Sequence, residues 1–456
     1  MKTSYFLYSL FILTFFSVAC SKKLDVQPQQ YLTPDQIKTQ ADLEALLFGT
    51  YSLYQNPNGF GERLLFVPDL LASDKQVDFV GTFSNYREVQ RKAIQATNSI
   101  PQNIWINEYN IILAANTVLD KIALATSEKD TIVAEAKFMR GVALFELVNL
   151  FGQPYSAGNA NSNPGVPIVL QPVYAFDSTK DKPARASVAE VYAQVIADLT
   201  EAADKLPEIP EQTQSGLQVR ASSFAAKAFL ARVYMNMGDY TKAAAFADEV
   251  IQSGLYRMDL YDKAFNNISF SSEDIFAIAQ TNQSNAGTSN NGLPTFYSAY
   301  PAGRGDAQMN ADYETIFDDP ADVRMSFNYN GSSIGGFDGT YTEKWAKLYK
   351  YIPVVRLAEM YLTRGEANLH LGIGTPTDDL NVVRDRSKAK RLDAVTLNDF
   401  VEERFRELAF EGDRLWTLKR LKMDIDGFPY NDKKLVLPIP QREIDVNSNL
   451  IQNPGY

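Results

Sequence analysis

The stretch FLARVYMNMGDYTKAAAFADEV, residues 229–250, contains two runs of helix-favouring residues on either side of the tetrapeptide MGDY. Apolar residues recur at intervals of three and four in both runs, which is the period of an amphipathic helix. Ala231 and Ala243 are small enough to let two helices cross at a short distance, while larger side chains fill the remaining space. The stretch therefore predicts a pair of antiparallel helices joined by a tight turn.

The spacing of this pair is similar to that of a tetratricopeptide repeat. The matching positions are Leu230, Ala231, Tyr234, Gly238, Asp239, Tyr240 and Ala243. Ala247 stands where the repeat usually has Phe, so an ordinary helical hairpin is the alternative. Residues 361–372, YLTRGEANLHLG, look like a more degenerate first helix of the same kind. Such pairs stack into a curved solenoid.

Helical periodicity covers much of the remaining chain, so a mostly α protein is predicted. Its tetratricopeptide-type helix pairs are expected to form a curved scaffold beside a loop-rich, irregular ligand-binding region. Helices are predicted from Thr33 to about Tyr54, over 102–124, from Ser127 to Gly152, from Ser187 to Pro207, over 353–371 and 377–390, and from Thr396 to about Met423. Residues 63–100 are expected to be irregular.

Residues 256–351 interrupt the helical pattern and place aromatic residues among glycine, asparagine and serine, as in YNGSSIGGFDGTY. Sugar rings present apolar C–H faces that stack on aromatic rings, and hydroxyls that pair with polar side chains. A mostly apolar site with a few polar groups is also the general pattern for small ligands. Tyr300, Arg304, Tyr341 and Trp345 are therefore predicted to bind ligand, with packing of the rings onto the helices as the alternative.

A second candidate segment is PDLLASDKQVDFVGTFSNY, residues 68–86. Its carboxylates could accept hydrogen bonds from hydroxyl groups or bind a cation, and its rings, Phe83 among them, could stack on a ligand. Asp74, Phe79 and Tyr86 are added to the predicted ligand-binding site on this ground. Solvated acidic residues are the alternative interpretation of the carboxylates.

The only cysteine, Cys20, follows an N-terminal leader. A basic start and a short apolar stretch describe a secretory signal peptide over residues 1–19, since a membrane-spanning helix needs roughly 18 or more apolar residues. Residues 17–20, SVAC, resemble a bacterial lipobox, although Ser17 stands where Leu is usual. Cys20 is the predicted lipidation site, and the polar residues 20–32 are its tether. A signal peptide cut elsewhere is the alternative.

The composition excludes several classes of protein. The formal net charge is −11, which makes the chain a poor nucleic-acid binder. A single cysteine rules out a disulfide within the chain. The only histidine, His370, lies near the end of a predicted helix, and no nucleophile, zinc or phosphate-binding motif accompanies it. No catalytic residue, metal ion or cofactor is predicted, although a glycosidase-type carboxylate pair stays open.

The C-terminal third carries four segments whose order resembles the SusD/RagB family. They are YIPVVRLAEMYLTRGEANLHLG, LNVVRDRSKA, FVEERFRELAFEGDRLWTLKRL and LPIPQREIDVNSNLIQNPGY. Upstream segments such as NLFGQPY and GVPIVLQPV also fit, so the resemblance spans essentially the whole chain. It implies a SusD-like fold with an N-terminal helical region (33–255), a loop-rich aromatic region (256–351) and a C-terminal SusD/RagB region (352–456). The charged residues of ERFRELAFEGDRLW, at helical i, i+3 and i+4 spacings, are interpreted as fold-specifying.

The resemblance also implies a function. Family members are surface-exposed outer-membrane lipoproteins that bind oligosaccharide or polysaccharide and deliver it, as a lid, to a SusC-like TonB-dependent transporter for nutrient uptake. A peptide-capturing RagB-like lid, a tetratricopeptide-type scaffold lipoprotein without a small ligand, and a hydrolase are the alternatives. The implied partners are the transporter, the ligand and the outer membrane, with the protein facing the cell exterior. Ligand sites in the family are built from variable loops, so no site residue is carried over. Trp105 resembles a helix-packing residue of the family and is not assigned to the site.

Overall fold

The structure is a computed structural model that describes residues 34–73, 75–209 and 220–456. The predicted signal peptide, the lipidation site Cys20, its tether and Asp74 of the predicted ligand-binding site lie outside the described residues. In the described part of the chain, no helix is both long enough and apolar enough to cross a membrane.

The described residues form fourteen α-helices and six short strands. The helices are α1 (Gln40–Gln55), α2 (Arg63–Leu71), α3 (Ser84–Gln90), α4 (Ser99–Asp120), α5 (Lys129–Phe151), α6 (Val188–Lys205), α7 (Ser223–Met237), α8 (Tyr240–Gln252), α9 (Leu293–Tyr297), α10 (Leu357–Leu371), α11 (Pro376–Arg386), α12 (Leu397–Leu408), α13 (Asp413–Arg420) and α14 (Gln441–Val446). The strands are β1 (Val77–Phe79), β2 (Asp274–Ile278), β3 (Ala307–Met309), β4 (Asn328–Ser332), β5 (Asp338–Thr342) and β6 (Ile352–Arg356).

Most of the long helices pack side by side in chain order. Helix α1 packs on α4, and α4, α5, α6, α7 and α8 follow one another, each in contact with the helix before it. Helix α10 then packs on α8, and both α11 and α12 pack on α10. Because each helix contacts mainly its neighbours in this series, the arrangement is that of stacked helical pairs. The prediction of a mostly α fold is confirmed.

The pair α7–α8 forms as the sequence predicts. Gly238 ends α7 in the left-handed conformation, with a φ of 76°, which glycine adopts without a steric penalty. Asp239 then caps α8, because its side chain accepts a hydrogen bond from the backbone N–H of Lys242. The rings of Tyr234 and Phe246 stack across the pair, with centroids 5.8 Å apart and an angle of 4° between their planes.

Two predictions for the N-terminal part are wrong. The first long helix begins at Gln40, where Thr39 and Asp42 form a reciprocal capping box, rather than at Thr33, which lies outside the described residues. Residues 63–100 are not irregular, since they contain α2, β1 and α3. Every residue of α2 is buried, so this helix shows no amphipathic stripe from which it could be recognised.

Two predicted C-terminal helices also differ from the structure. The segment from residue 353 begins as strand β6, paired with β2, before α10 starts at Leu357. The long helix predicted to reach Met423 is divided into α12 and α13 by a sharp turn, in which Phe410 has a φ of 66° and Gly412 a φ of 81°. A Cβ atom at Gly412 would lie 3.1 Å from Cα of Leu65, so α2 packs directly against this turn.

One hydrophobic core runs through the molecule. It contains buried residues from Leu47 near the beginning to Leu450 near the end of the described chain, and so includes all three regions proposed from the sequence. A smaller cluster lies between α10, α11 and α12. The region boundaries at 255 and 351 remain a prediction.

The motif ERFRELAFEGDRLW lies in a buried ionic junction. Glu407 on α12 is fully buried, and its carboxylate accepts hydrogen bonds from Arg356 at 2.9 Å and Arg324 at 3.3 Å, and from Arg386. Arg356 also donates to Glu411 at 2.9 and 2.8 Å. These contacts join β6, α11 and α12. The pairing predicted along the helix also forms, since Arg406 donates to Glu403 at i,i+3 over 3.2 Å. Their place in the interior suits a structural role for the motif.

Candidate functional site

The two segments predicted to bind ligand meet in one small sheet. Strands β1 and β3 pair antiparallel, with Phe79 opposite Ala307. Directly after β1, the backbone N–H of Val80 donates to the carbonyl oxygen of Asp306 over 2.8 Å. A Cβ atom at Gly81 would lie 2.6 Å from Cγ of Asp306, so glycine permits this close approach. The ends of the two segments therefore form one continuous surface.

Phe83 and Arg304 supply an aromatic ring and a guanidinium to this surface. The guanidinium carbon of Arg304 lies 4.7 Å from the ring centroid of Phe83, which is within cation–π range. Its Nε donates to Oδ2 of the buried Asp306 over 2.7 Å. The two terminal nitrogens of Arg304 have no hydrogen-bond partner among the described residues. The carboxylate thus orients the guanidinium and leaves those nitrogens available to a ligand.

Tyr300 and the turn between β4 and β5 add exposed apolar side chains beside Arg304. Tyr300, Ile334 and Phe337 are 57, 51 and 56% exposed. The backbone N–H of Tyr300 donates to the carbonyl of Ser332 at 2.9 Å, and that of Ile334 donates to the carbonyl of Arg304 at 2.7 Å. The exposed rings therefore project from a hydrogen-bonded backbone, which reduces the entropy lost when a ligand binds.

Tyr341 supports this turn from the interior. Its side chain is fully buried, and its hydroxyl donates to the carbonyl of Gly305 at 3.2 Å while accepting from Nε2 of Gln308 at 2.9 Å. The same Gln308 amide donates to the carbonyl of Phe337 at 2.9 Å. Tyr341 is predicted to contact ligand, but in the structure neither face of its ring is accessible. It lies in the interior, behind the exposed rings of Tyr300 and Phe337.

Phe79 and Tyr86 are also interior residues, with 7 and 2% of their surface exposed. With Phe66, Phe83 and Phe296 they form an aromatic cluster whose paired ring centroids lie 5.0 to 6.4 Å apart. Phe83 is the partly exposed member of this cluster and lies 6.3 Å from Tyr86. Of the two predicted rings in this segment, Tyr86 therefore packs against Phe83 and Phe79 packs against Tyr86, and neither presents its own face to a ligand.

Trp345 is 3% exposed and joins the loop region to the C-terminal motif. Its indole N–H donates to the carbonyl of Phe410 at 2.8 Å, and its own carbonyl accepts from the hydroxyl of Ser298 at 2.8 Å. No face of the indole is open to a sugar. Of the predicted binding residues that the structure describes, Tyr300 and Arg304 are the accessible ones.

The site predicted from the sequence does not include Phe83 and Phe337. A signal existed for Phe337, because it lies in the glycine-rich turn IGGFDG, which has too few side chains to cover a ring. Phe83 lies between the end of β1 and the start of α3, where the chain leaves the sheet. Its ring packs edge-on against Phe296, with centroids 6.1 Å apart, although the two residues are more than 200 positions apart in the chain.

The carboxylates near the surface already have protein partners. Asp78 accepts a hydrogen bond from the amide of Asn310 at 2.9 Å, and burial raises the pKa of Asp78. Asp306 is paired with its arginine, and Asp338 accepts from the hydroxyl of Ser332 at 2.5 Å. No group of three or more His, Cys, Asp or Glu residues in the described ranges is placed to hold a metal ion. Open rings beside unused N–H donors suit the reversible binding of a polyhydroxylated ligand.

Two family models match the chain. One is described as starch-binding associating with outer membrane and matches residues 22–235; the other is described as the SusD family and matches residues 304–426. The chain belongs to the SusD/RagB family. The second match begins at Arg304 and includes the β4–β5 turn, Trp345 and the motif of the buried ionic junction.

Relatives and solved structures extend the similarity over the whole chain. SusD-like protein P2 from Formosa agariphila is 27% identical over 96% of this chain and 97% of its own length. Starch-binding protein SusD from Bacteroides thetaiotaomicron is 35% identical over 23% of this chain and 21% of its own. A crystal structure of a SusD superfamily protein from Bacteroides thetaiotaomicron has a TM-score of 0.80 and 26% identity, covering 93% of this chain and 100% of that chain. Surface glycan-binding protein A from Bacteroides fluxus shares the fold, with a TM-score of 0.76, 22% identity, and 92 and 100% coverage. The predicted SusD-like fold is confirmed.

Proposed function

We propose that this SusD/RagB protein binds a neutral oligosaccharide or polysaccharide at the surface formed by Phe83, Tyr300, Arg304 and Phe337. It then delivers the glycan, as a lid, to a SusC-like TonB-dependent transporter in the outer membrane. A lipid on Cys20 holds the protein at the cell exterior. The family descriptions and the names of the starch-binding and glycan-binding relatives support the ligand class, while the partner and the anchor rest on the family resemblance.

The availability of Arg304 beside exposed rings is the observation that carries this proposal. The positive charge of Arg304 is neutralised by Asp306, while its two terminal nitrogens remain open. Such a group donates hydrogen bonds to hydroxyls without attracting an anion. Tyr300 and Phe337 offer apolar faces to the C–H side of a sugar ring. A peptide would instead require partners for its own backbone N–H and C=O groups.

The test uses the soluble protein without its leader and without Cys20, titrated calorimetrically against a panel of neutral polysaccharides and peptides. We expect one class of neutral glycan to bind, and Tyr300→Ala, Phe337→Ala and Arg304→Ala each to weaken it roughly tenfold, since about 1.4 kcal/mol corresponds to a factor of ten. Phe176→Ala is the matched control, because this ring is 66% exposed in a different loop; it should leave the affinity unchanged.

Other results would favour the alternatives. Binding of peptides alone would indicate a RagB-like lid, and no binding to either class would favour a scaffold protein. Release of reducing sugar by the pure protein would indicate a hydrolase. Glycan affinity that is unchanged in the Tyr300→Ala/Phe337→Ala double variant would contradict the proposed surface, even if glycan binding itself is observed.

The anchor has a separate test. Cys20→Ala in the full chain removes the thiol that would carry the lipid, so we expect the protein to move from the membrane fraction to the soluble fraction. Ser21→Ala is the control and should stay with the membrane. Membrane association of Cys20→Ala equal to that of the unmodified chain would rule out lipidation at this residue.

A further inference from the structure

Asp306 lies behind Arg304 and is enclosed by the small sheet of β1 and β3. It directly precedes β3, and its carbonyl oxygen accepts from the backbone N–H of Val80 at 2.8 Å. Only 1% of its surface is exposed. The backbone of Gly81 covers its carboxylate, since a Cβ atom at residue 81 would lie 2.6 Å from Cγ of Asp306. A glycan therefore does not reach this carboxylate, and any effect of Asp306 on binding must act through Arg304.

The turn that carries Arg304 and Asp306 is held by its own backbone. The N–H of Arg304 donates to the carbonyl of Thr295 at 2.6 Å, and the carbonyl of Gly305 accepts from the hydroxyl of Tyr341 at 3.2 Å. Gly305 has a φ of 64°, and a Cβ atom there would lie 2.8 Å from the hydroxyl oxygen of Tyr341, so the turn requires glycine. The two charged side chains are therefore placed before a ligand arrives, which lowers the ordering cost of binding.

The pair of Arg304 and Asp306 has no net charge. Nε of Arg304 lies 2.7 Å from Oδ2 of Asp306, so the two opposite charges are in direct contact. Their combined field falls off faster with distance than the field of a single charge. Because the carboxylate is buried, salt screens it only weakly from the guanidinium. Arg304 thus offers hydrogen-bond donors to a ligand, while its attraction for an anion is much weaker than that of an unpaired arginine.

A second carboxylate, that of Asp338, lies nearby but is exposed. Asp338 begins β5, and its side chain accepts from the hydroxyl of Ser332 at 2.5 Å. Burial raises the pKa of Tyr341, and the negative charges of Asp306 and Asp338 raise it further, so both carboxylates lie close to this ring. Salt screens an exposed charge more strongly than a buried one. The two residues therefore allow a buried carboxylate that contacts Arg304 to be compared with an exposed one that does not.

We propose that Asp306 is the specificity-determining residue that makes this surface select neutral glycans over acidic ones. The proposal rests on the proposed function, because it concerns the same surface. Asp306 does not touch the glycan; it positions Arg304 and neutralises its charge. Without this carboxylate, the surface should accept a uronate, because a ligand carboxylate can pair with the two terminal nitrogens of an arginine in bidentate geometry.

The first test compares charged and uncharged forms of the same polymer on the soluble chain without its leader and without Cys20. Soluble starch, laminarin, galactan and mannan are each titrated calorimetrically as the neutral polymer, after oxidation of C6 to the carboxylate, and as the methyl ester of the oxidised form. We expect at least one neutral polymer to bind, and its oxidised form to bind at least about tenfold more weakly. The methyl ester, which keeps the substituent and removes the charge, should bind more tightly than the acid.

The second test removes the charge of Asp306. Asp306→Asn keeps an oxygen that can accept from Nε of Arg304, so we expect the affinity for the oxidised polymer to rise at least about tenfold while that for the neutral polymer stays within about threefold. Asp338→Asn is the matched control: it makes the same change in net charge at an exposed position and should raise the affinity for the oxidised polymer less than about threefold. In Asp306→Asn/Arg304→Met the gain should disappear, because it depends on the guanidinium.

The outcomes separate this inference from the proposed function. If no neutral polymer binds the unmodified chain, the proposed function fails together with the inference. If a neutral polymer binds and its oxidised form binds equally well, or the methyl ester binds no better than the acid, the inference alone is refuted; these comparisons decide it even if Asp306→Asn does not fold. A folded Asp306→Asn protein without the gain, an equal gain in Asp338→Asn, or a gain that persists without Arg304 also overturns it.

Discussion

The buried ionic junction and the proposed glycan-binding surface use the same residue types for opposite purposes. Arg356 lies 4.9 Å from the ring centroid of Phe265, much as Arg304 lies 4.7 Å from that of Phe83. All three guanidinium nitrogens of Arg356 donate to protein groups, whereas Arg304 uses only its Nε. A structural arginine is therefore distinguished from a binding arginine by how many of its donors the protein itself satisfies.

Buried carboxylates show the same contrast. Burial alone would raise the pKa of Glu407, but the positive charges of Arg386, Arg356 and Arg324 together hold it at about 2. Glu62 accepts a hydrogen bond from the hydroxyl of Tyr86, which packs against Phe83 of the proposed glycan-binding surface. Burial raises the pKa of Glu62 to about 7, because Arg63 only partly compensates. The ionic junction keeps the carboxylate of Glu407 charged at any physiological pH, whereas the interior behind the proposed glycan-binding surface holds a carboxylate, that of Glu62, with a pKa near neutrality.

Removing the central arginine of the junction should have the largest effect. Arg356→Met leaves the carboxylates of Glu407 and Glu411 without a major partner in the interior, and breaking a buried pair in this way costs roughly 3–5 kcal/mol. We expect that loss in the free energy of unfolding, measured by urea denaturation of the soluble chain. Arg391→Met is the control: its side chain is 58% exposed, and its pair with Asp385 should contribute less than about 1 kcal/mol. Equal losses in the free energy of unfolding for the two variants would show that the buried arginine stabilises the fold no more than the exposed one.

Trp345 should behave as a structural residue despite its place in the aromatic region. Trp345→Ala creates a cavity and removes the hydrogen bond to Phe410, so we expect roughly 3 kcal/mol of destabilisation. Tyr300→Ala, at an exposed position of the same region, should change the unfolding free energy by less than about 0.5 kcal/mol. Thermal and urea unfolding of the two variants measure the difference. A Trp345→Ala protein of unchanged stability and reduced glycan affinity would place this residue in the binding site after all.

A smaller effect should appear in the pH dependence of stability. Glu62 holds its proton up to about pH 7 in the native state, whereas it releases the proton near its ordinary pKa of 4.5 in the unfolded chain. The contribution of Glu62 is therefore fully present below about pH 4.5 and is lost as the pH rises through 7. Glu62→Gln should reduce this decline between pH 5 and 8, by on the order of 1–3 kcal/mol. An identical pH profile for the variant would show that Glu62 does not titrate in this range.

Local patterns predicted the parts of the fold that depend on neighbouring residues. The pair α7–α8 was recognised because its apolar period and its glycine lie within one short stretch. Helix α2 was missed because it is buried on every side and has no polar face. The division between α12 and α13 was missed because Phe410 and Gly412 adopt positive φ angles against a helix more than 300 positions earlier.

The site was predicted as a region but not residue by residue. The high density of aromatic residues predicts a binding site in the loops that contain Tyr300 and Arg304, and both of these residues are accessible in the structure. The number of aromatic residues does not distinguish these two residues from the buried Tyr341 and Trp345, because a sequence does not show which loop side chains are exposed to solvent. Phe337 is exposed because the glycines around it have no side chains that could cover its ring. This local signal is not captured by the number of aromatic residues in the region.

The amino-acid sequence alone was enough to predict the helical class and the SusD/RagB resemblance, because helix periodicity and family motifs depend on residues that are close together in the sequence. It also supplied the lipobox-like leader on which the anchor proposal rests. The accessible rings and the arginine with unused donors emerged only from the tertiary structure. The exposure of a side chain depends on which distant segment covers it, and that contact has no local signature.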